Sequence, residues 1–445
     1  MAADTRKTKR SANMPIKITQ KNVPQNIRGW KYIRLSDCVT DVAGTWGDED
    51  IRTGLPVLRS TNFRSDGYFD YSNIAKRKIP GKDIKVKRLQ LGDILLERSG
   101  GGPDQPVGRV GWCDRTAVGM YFSNFCQLLR PLQGVNSKFL FYLLHYFYVS
   151  KETFKHQQQT TGIRNLDFSS YTGIKLFLPE SLKEQGKIAE VLSSVDEVIY
   201  QAQKTIEQTL TLKKSLTQML FTQGLPGKHK KFKKSEVGPI PSAWDLQPID
   251  EICVVNPSQS EISGIKDATR VTFMPMESVS ENAEGIRQYL EKEYGAIKKG
   301  YTYFKNMDIL FAKITPCMEN GKTAVAVNLK NGIGFGSTEF HILRPNTKGL
   351  LPEFVFYWVS REVFRNLAKT YFTGTAGQQR VQKWFFSYVS IPIPPIEEQK
   401  IIVNLLSQVD SKIQSSKIVV EGLIAVKKAL MQVLLTGKMR VSCGE

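Results

Sequence analysis

Histidine and cysteine are scarce in this chain, at four and six among 445 residues. The cysteines (Cys38, Cys113, Cys126, Cys253, Cys317 and Cys443) lie far apart and form no C-x-x-C pair. That spacing excludes a zinc framework and a disulfide scaffold, so the thiols read as reduced packing residues. No apolar run approaches the ~18 residues of a membrane span. The first 22 residues are polar and basic (Arg6, Lys7, Lys9, Arg10, Lys17, Lys21) and lack the apolar core of a secretory signal. The expectation is a chain with no membrane contact that works in the cytoplasm.

Catalytic signatures are equally thin. Gly321-Lys322-Thr323 resembles a phosphate-binding loop, but Pro316 stands where that motif needs a glycine to let backbone amides wrap the phosphates. Asn256-Pro257-Ser258-Gln259 lacks the second proline and the stacking aromatic of the motif that holds a flipped adenine. There is no Gly-rich cofactor loop between a strand and a helix, and no His and carboxylate cluster for catalytic metals. Glu398-x-Lys400 has nuclease-like spacing, but it sits at a helix start, where a carboxylate meets the helix dipole favourably. The chain therefore reads as non-catalytic and without a cofactor of its own.

What the chain has in excess is positive charge: 62 Lys and Arg against 42 Asp and Glu, a net +20. In a folded, aromatic-containing protein this points to a polyanionic partner, nucleic acid foremost. The length implies two or three domains, each able to bury a core.

An internal repeat supplies the organisation. Glu184-Gln185 and Glu398-Gln399 each open a long periodic segment, and the segments align without gaps at an offset of 214. Ile188, Leu192, Val195, Asp196 and Ile199 match Ile402, Leu406, Val409, Asp410 and Ile413, and Lys213, Leu216, Gln218, Leu220 and Thr222 match Lys427, Leu430, Gln432, Leu434 and Thr436. Apolar residues alternate four and three apart (Ile188, Leu192, Val195, Ile199, Ala202, Ile206; Ile402, Leu406, Val409, Ile413, Val420, Leu423), a coiled-coil-like seam. The stripe drifts near Lys213 and Lys427 toward Leu210, Leu212, Ile424 and Val426, which implies a bundle rather than a strict coil. Each segment reads as one amphipathic helix of about 60 Å, packed antiparallel on its own copy, with a homodimeric coil as the alternative.

The repeat continues ahead of each helix. Val23-Pro24, Trp30, Leu35 and Asp37 correspond to Ile240-Pro241, Trp244, Ile249 and Glu251; Asp93-Ile94-Leu95 to Asp308-Ile309-Leu310; Arg130-Pro131 to Arg344-Pro345; and Phe139 to Tyr142 to Phe354 to Tyr357. The aromatic stretches read as core helices. Short strand-like runs at 93–96, 125–129, 322–328 and 340–343, broken by Gly-rich loops, make each domain a mixed α/β fold. The expected fold is α+β, with a pseudo-two-fold internal repeat. It comprises a basic tail at 1–22 (a solvated end, with phosphate contact as the alternative), domain 1 at 23–180, a central helix at 181–224, a solvated Lys-rich linker at 225–239, domain 2 at 240–396 and a C-terminal helix at 397–440.

At Pro394-Pro-Ile-Glu-Glu-Gln399, with the helix that follows and its Leu-Thr-Gly-Lys438 ending, the chain resembles the specificity subunits of Type I restriction-modification enzymes. Lys234-Ser-Glu-Val-Gly-Pro-Ile-Pro-x-x-Trp244, Phe273-Met-Pro-Met276, Gly92-Asp-Ile-Leu95 and Thr373-Gly-Thr-Ala-Gly377 are similar to that family in the same order. The resemblance implies two tandem target-recognition domains separated by two long antiparallel helices. Each domain reads half of a split, asymmetric site on double-stranded DNA, and the helices act as a ruler for the spacer. Against roughly 34 Å per DNA turn, helices of about 60 Å put the half-sites between one and two turns apart at most. It also implies docking of two copies of a modification subunit, and assembly with ATP-dependent restriction subunits. S-adenosylmethionine and ATP chemistry would belong to those partners. The first helix departs from the family pattern: Leu178-Pro-Glu-Ser-Leu-Lys-Glu-Gln185 lacks the double proline, which predicts a less sharply fixed start.

Affinity for DNA comes from cations on phosphates, and discrimination from donors and acceptors that reach base edges from loops. The candidates are Arg59, Ser60, Asn62, Arg98, Ser99, Arg109 and Arg164 in domain 1, and Lys313, Asn320, Lys322, Gln378, Gln379, Arg380 and Lys383 in domain 2. Arg59-Ser-Thr-Asn-Phe63 occupies the place of Met276-Glu-Ser-Val279, so the half-sites are expected to differ. Two other readings stay open on the residues alone: an autonomous restriction enzyme, and a scaffold that pairs two partner proteins without DNA.

Overall fold

The computed structural model describes residues 27–102, 105–160, 163–235, 238–375 and 377–442. The basic tail 1–22, Val23-Pro24 and Cys443 lie outside the described residues. The chain divides into two compact units: the described residues up to Ala202 together with those from Val419 onward, and Gln203–Ile418. Each unit thus holds one recognition domain and half of each long helix, so the divisions fall inside the helices rather than at their ends.

The two units repeat one architecture. In the first, an antiparallel sheet runs in the order Val39–Ala43, Cys126–Pro131, Ile94–Glu97, Val110–Trp112; in the second the order is Cys253–Val255, Phe340–Pro345, Ile309–Ala312, Thr323–Val325. A second sheet in each is built on a parallel pair, Leu55–Leu58 with Tyr121–Phe122 and Arg270–Met274 with Ile333–Gly336. The first and last strands of each domain close it, Trp30–Arg34 on Lys175–Pro179 and Asp245–Pro248 on Ser390–Ile393. The aromatic stretches are core helices. Ser137–Val149 buries Phe139, Phe141 and Tyr142, and Pro352–Val359 buries Phe354, Phe356 and Trp358. The four cysteines Cys38, Cys113, Cys126 and Cys253 are free and buried among these elements.

The long helices span Leu182–Gln223 and Ile396–Leu434. Toward their ends the helix stripes merge with the domain interiors, while the seam residues Ile199, Ile413 and Val420 are buried outside those core clusters. In the first unit Ile188, Ala189 and Leu192 pack with Met431, Leu434 and Leu435 and with Trp30, Phe139 and Tyr142. In the second, Leu220 and Phe221 pack with Ile402 and Leu406 and with Trp244, Phe354 and Trp358. Within each unit the helix segments run antiparallel.

Two sequence expectations change here. The first helix starts as sharply as the second, since Leu182 and Ile396 are 214 apart and Ser181 Oγ accepts from the Glu184 amide (3.3 Å), a cap that does the work of the missing proline. The segment 225–239 is not a solvated linker throughout. Phe232–Ser235 pairs with Gly238–Pro241, Lys233 Nζ donates to the Trp244 carbonyl (2.5 Å), and His229 is drawn onto Glu398 (2.8 Å). Lys228, His229 and Lys233 have carboxylate or carbonyl partners that tie the stretch to its unit, while Lys230, Lys231 and Lys234 are exposed.

Candidate nucleic-acid interface

The residues that define the repeat turn inward. Trp30 Nε1 donates to Glu184 (3.3 Å) and Trp244 Nε1 to Glu398 (3.3 Å). Arg440 completes the first socket at 2.5 and 2.7 Å, and Lys228, His229 and the Leu225 amide complete the second. Burial works against the Glu398 charge, but the hydrogen bonds from His229, the Leu225 amide and Lys228 hold its carboxyl below the usual carboxylate range. Gln185 accepts from the Asn136 amide and Gln399 from the Leu351 amide, each also donating to nearby carbonyls. Asp93 with Arg130 and Asp308 with Arg344 form equivalent two-pronged pairs. Glu398-x-Lys400 is therefore no nuclease pair: Glu398 is fully buried, and Lys400 reaches outward to Glu397 (2.7 Å). Among the described residues no group of three His, Cys, Asp or Glu is placed to hold a metal ion, and no helix is long and apolar enough to cross a membrane.

Most candidate DNA residues lie on three neighbouring segments that recur in each unit; Arg109 stands just ahead of the strand Val110–Trp112, Lys383 follows the last hairpin strand, and in the second unit none falls on the first segment. One is a 3-10 turn after the second-sheet strand, Ser60–Asn62 or Met276–Ser278. The next is the chain leaving a central strand, Arg98–Gly101 or Lys313–Lys322. The third is a hairpin, Gln157–Thr160 on Ile163–Leu166 or Phe372–Thr373 on Arg380–Val381. The hairpin is fastened alike in both: the Leu166 amide donates to the Arg98 carbonyl (2.8 Å) and the Val381 amide to the Lys313 carbonyl (3.0 Å). Ser99 Oγ bonds Asn165, and Gly100, whose φ of +107° favours glycine, lies against Ser60.

Within this frame the fourteen side chains separate. Arg164, Lys313 and Lys383 have no ion-pair partner among the described residues, and Gln378 is exposed. Arg98 lies over the Phe168 ring (4.9 Å) and donates to Gln127 (3.0 Å), while Gln379 binds Thr315 through its backbone. Arg59 donates to Asn73 (2.9 and 3.2 Å), Asn320 to Glu281 (3.0 Å), and Arg380 is clamped on Glu339 (2.9 to 3.2 Å).

Three candidates are engaged within the fold. Asn62 is 3% exposed, and its side chain caps the Arg59 amide while donating to the Asp70 and Asn73 carbonyls. Arg109 is held by Glu97 (2.6 and 2.8 Å) and donates to the Phe63 (2.8 Å) and Ser60 (2.9 Å) carbonyls. Lys322 Nζ donates to the Met276 carbonyl (3.1 Å). Arg109 and Lys322 thus each donate to a carbonyl of the 3-10 turn, and Asn62 holds the turn from within. Conversely, Thr61 and Glu277, exposed at the centres of the two turns, were absent from the sequence-based set. Only the alignment of Arg59–Phe63 with Met276–Val279 pointed to them.

A family model described as the Type I restriction modification DNA specificity domain matches residues 29–212 and again 241–420. The chain belongs to this family and carries its domain twice, as the repeat and the resemblance led one to expect. It is similar to the Type I restriction enzyme EcoAI specificity subunit of Escherichia coli, at 37% identity over 39% of this chain and 29% of that protein. It is also similar to the MjaVIII specificity subunit of Methanocaldococcus jannaschii, at 29% identity over 93% of each. The chain thus spans less than a third of its Escherichia coli relatives and nearly all of the archaeal one. Among solved structures, the Type I restriction-modification S subunit from M. genitalium shares the fold with a TM-score of 0.54 at 14% identity, covering 94% of this chain and 98% of that one.

Proposed function

We propose that each unit reads one half of a split, asymmetric sequence on double-stranded DNA, as part of a Type I restriction-modification complex working in the cytoplasm. The observation that carries this reading is the equivalent face in both units. A 3-10 turn, a strand exit and a hairpin lie together there and gather the basic and amide side chains, yet the turns differ in chemistry, Ser60-Thr-Asn62 against Met276-Glu-Ser278. Equal scaffolds with unequal reading edges suit two half-sites of different sequence. Arg164, Lys313 and Lys383 are free to neutralise phosphates, which fix register without reading bases. Thr61, Gln378 and Glu277 supply groups able to bond base edges; a carboxylate accepts from the cytosine amino group and glutamine pairs with adenine.

The long helices set the spacer between half-sites and dock two copies of a modification subunit. In support, apolar side chains are exposed at equivalent positions, Leu210 and Leu212 in one unit and Ile424 and Val426 in the other. Residues two apart on a helix point to nearly opposite sides, so these aliphatics leave both flanks of each helix open to cover by a protein partner. Their recurrence at the 214 offset suits two identical partners. The modification subunits would bring S-adenosylmethionine and the restriction subunits ATP.

Adenine-methylation mapping by single-molecule sequencing tests the reading, using DNA from cells with and without this chain and with the modification subunit present in both. A split, asymmetric methylated motif that appears only with the chain is expected. An unchanged methylome in cells whose modification subunit is active with another specificity subunit would overturn it.

A further inference from the structure

Arg109 and Lys322 were separate candidates for DNA contact, yet they occupy one position in the repeated architecture. The carbonyl of Arg109 accepts from the Glu97 amide (2.8 Å), and that of Lys322 from the Ala312 amide (3.0 Å), so each stands immediately before the strand, Val110–Trp112 or Thr323–Val325, that pairs with the corresponding central strand. Each sends its cation to the first residue of the 3-10 turn, Arg109 Nη2 to Ser60 O (2.9 Å) and Lys322 Nζ to Met276 O (3.1 Å). The two turns are alike in geometry: Asn62 N to Arg59 O and Ser278 N to Pro275 O are both 2.9 Å, and Phe63 N to Ser60 O and Val279 N to Met276 O are both 3.3 Å.

We infer that Arg109 and Lys322 are positioning residues, cationic struts that hold the reading turns of the two recognition domains at a fixed height without touching DNA. The inference rests on the proposed reading of half-sites by these turns. A duplicated protein that reads two different sequences must vary what faces the bases and keep what sets their distance. The turn sequences differ, while the strut, its carbonyl target and the turn geometry recur. A charge-assisted bond to a carbonyl is stronger than a neutral one, and a turn held within about 0.5 Å is what base discrimination requires. The two struts are balanced differently. Arg109 carries a buried counter-charge, Glu97, 1% exposed at its side chain, with Oε1 2.6 Å from Nη2; at the equivalent position Lys322 faces Ala312, so among the described residues the lysine strut has no carboxylate partner.

That difference defines the test. Arg109→Ala alone would leave Glu97 buried without a partner, so the informative pair is E97A/R109A and E97A/R109K, the second transplanting the Ala312 and Lys322 solution into the first unit. Both are assembled with the modification subunits. Binding is measured to a duplex carrying the full site, to duplexes with single base-pair changes in either half, and to random duplex, across salt. For E97A/R109A the expected result is a loss of roughly tenfold or more in discrimination at the first half-site only, since a misplaced reading group forfeits about one base pair's worth of selectivity. Affinity for random duplex and its salt slope stay unchanged. E97A/R109K restores discrimination, and Lys322→Met shows the same loss at the second half-site alone.

A uniform fall in affinity with the salt slope reduced by about 0.9 would make Arg109 a phosphate contact and overturn the inference. So would unchanged discrimination in E97A/R109A, or a folded E97A/R109K that fails to restore it. If the unmodified complex itself fails to distinguish base changes at the first half-site, the half-site reading falls instead, and the control separates the two failures.

Discussion

Lys427 Nζ reaches Asp196 Oδ1 at 2.5 Å, and the same pair recurs with the roles of the helices exchanged, Lys213 Nζ to Asp410 Oδ1 at 2.5 Å. Each aspartate also receives the phenol of a core-helix tyrosine, Tyr142 at 2.7 Å and Tyr357 at 2.8 Å. The recognition domain and both helix segments of a unit therefore meet on one carboxylate. Burial and the facing carboxylate push both phenols above their ordinary range, which keeps them protonated as donors.

The two joints are not equal, because Asp196 takes a further hydrogen bond from Tyr68 (3.0 Å). Asp196→Ala should cost about 3–5 kcal/mol, the usual loss when one partner of a buried pair is removed. Asp410→Ala should cost less. Chemical denaturation of both variants checks the order, and equal losses would leave the Tyr68 bond without weight.

Glu398 gives the stability a pH dependence of known sign. A carboxylate whose folded pKa is depressed contributes stability above its unfolded value, and that stability is lost as pH falls through the folded value. Starting from an ordinary value of 4.5, stability should fall through and below that pH. Glu398→Gln should flatten the decline and lower stability at neutral pH by about 1–3 kcal/mol, the cost of a weakened buried network. Denaturation midpoints between about pH 6 and pH 3 report it.

Arg164→Ala and Lys383→Ala should weaken binding to every duplex alike. Each should reduce the log-log salt slope by about 0.9, the signature of one phosphate contact. A changed base preference would instead place the residue at a base edge.

Charging the apolar patches should remove partners one at a time. L210D/L212D and I424D/V426D alter residues already exposed, so the fold persists. The mass of the assembled complex should drop by one modification subunit in each variant and by two in the combination.

The repeat, both long helices, the core aromatic helices and the central strands were legible in the sequence because each is a local or periodic pattern. Ile188, Leu192, Ile402 and Leu406, picked from spacing, are all fully buried. The interface was legible only to the level of segments. Arg109 and Arg164 are both arginines near glycine in turn-forming stretches, but Arg109 meets carbonyls 46 and 49 residues away, whereas the Arg164 side chain meets none among the described residues. Which cation is spent on the fold is decided by tertiary distance, which spacing along the chain does not encode. The same holds for Lys228, His229 and Lys233, which look solvated in the sequence until Glu398 and the Trp244 carbonyl come within reach.

The central claim is that each unit reads its own half-site. Exchanging residues 240–396 for the equivalent domain of a relative with a different target, and mapping methylated adenines in cells that hold the hybrid, tests it most directly. The account predicts a motif in which one half changes while the other half and the spacer length stay the same; simultaneous change of both halves would contradict it.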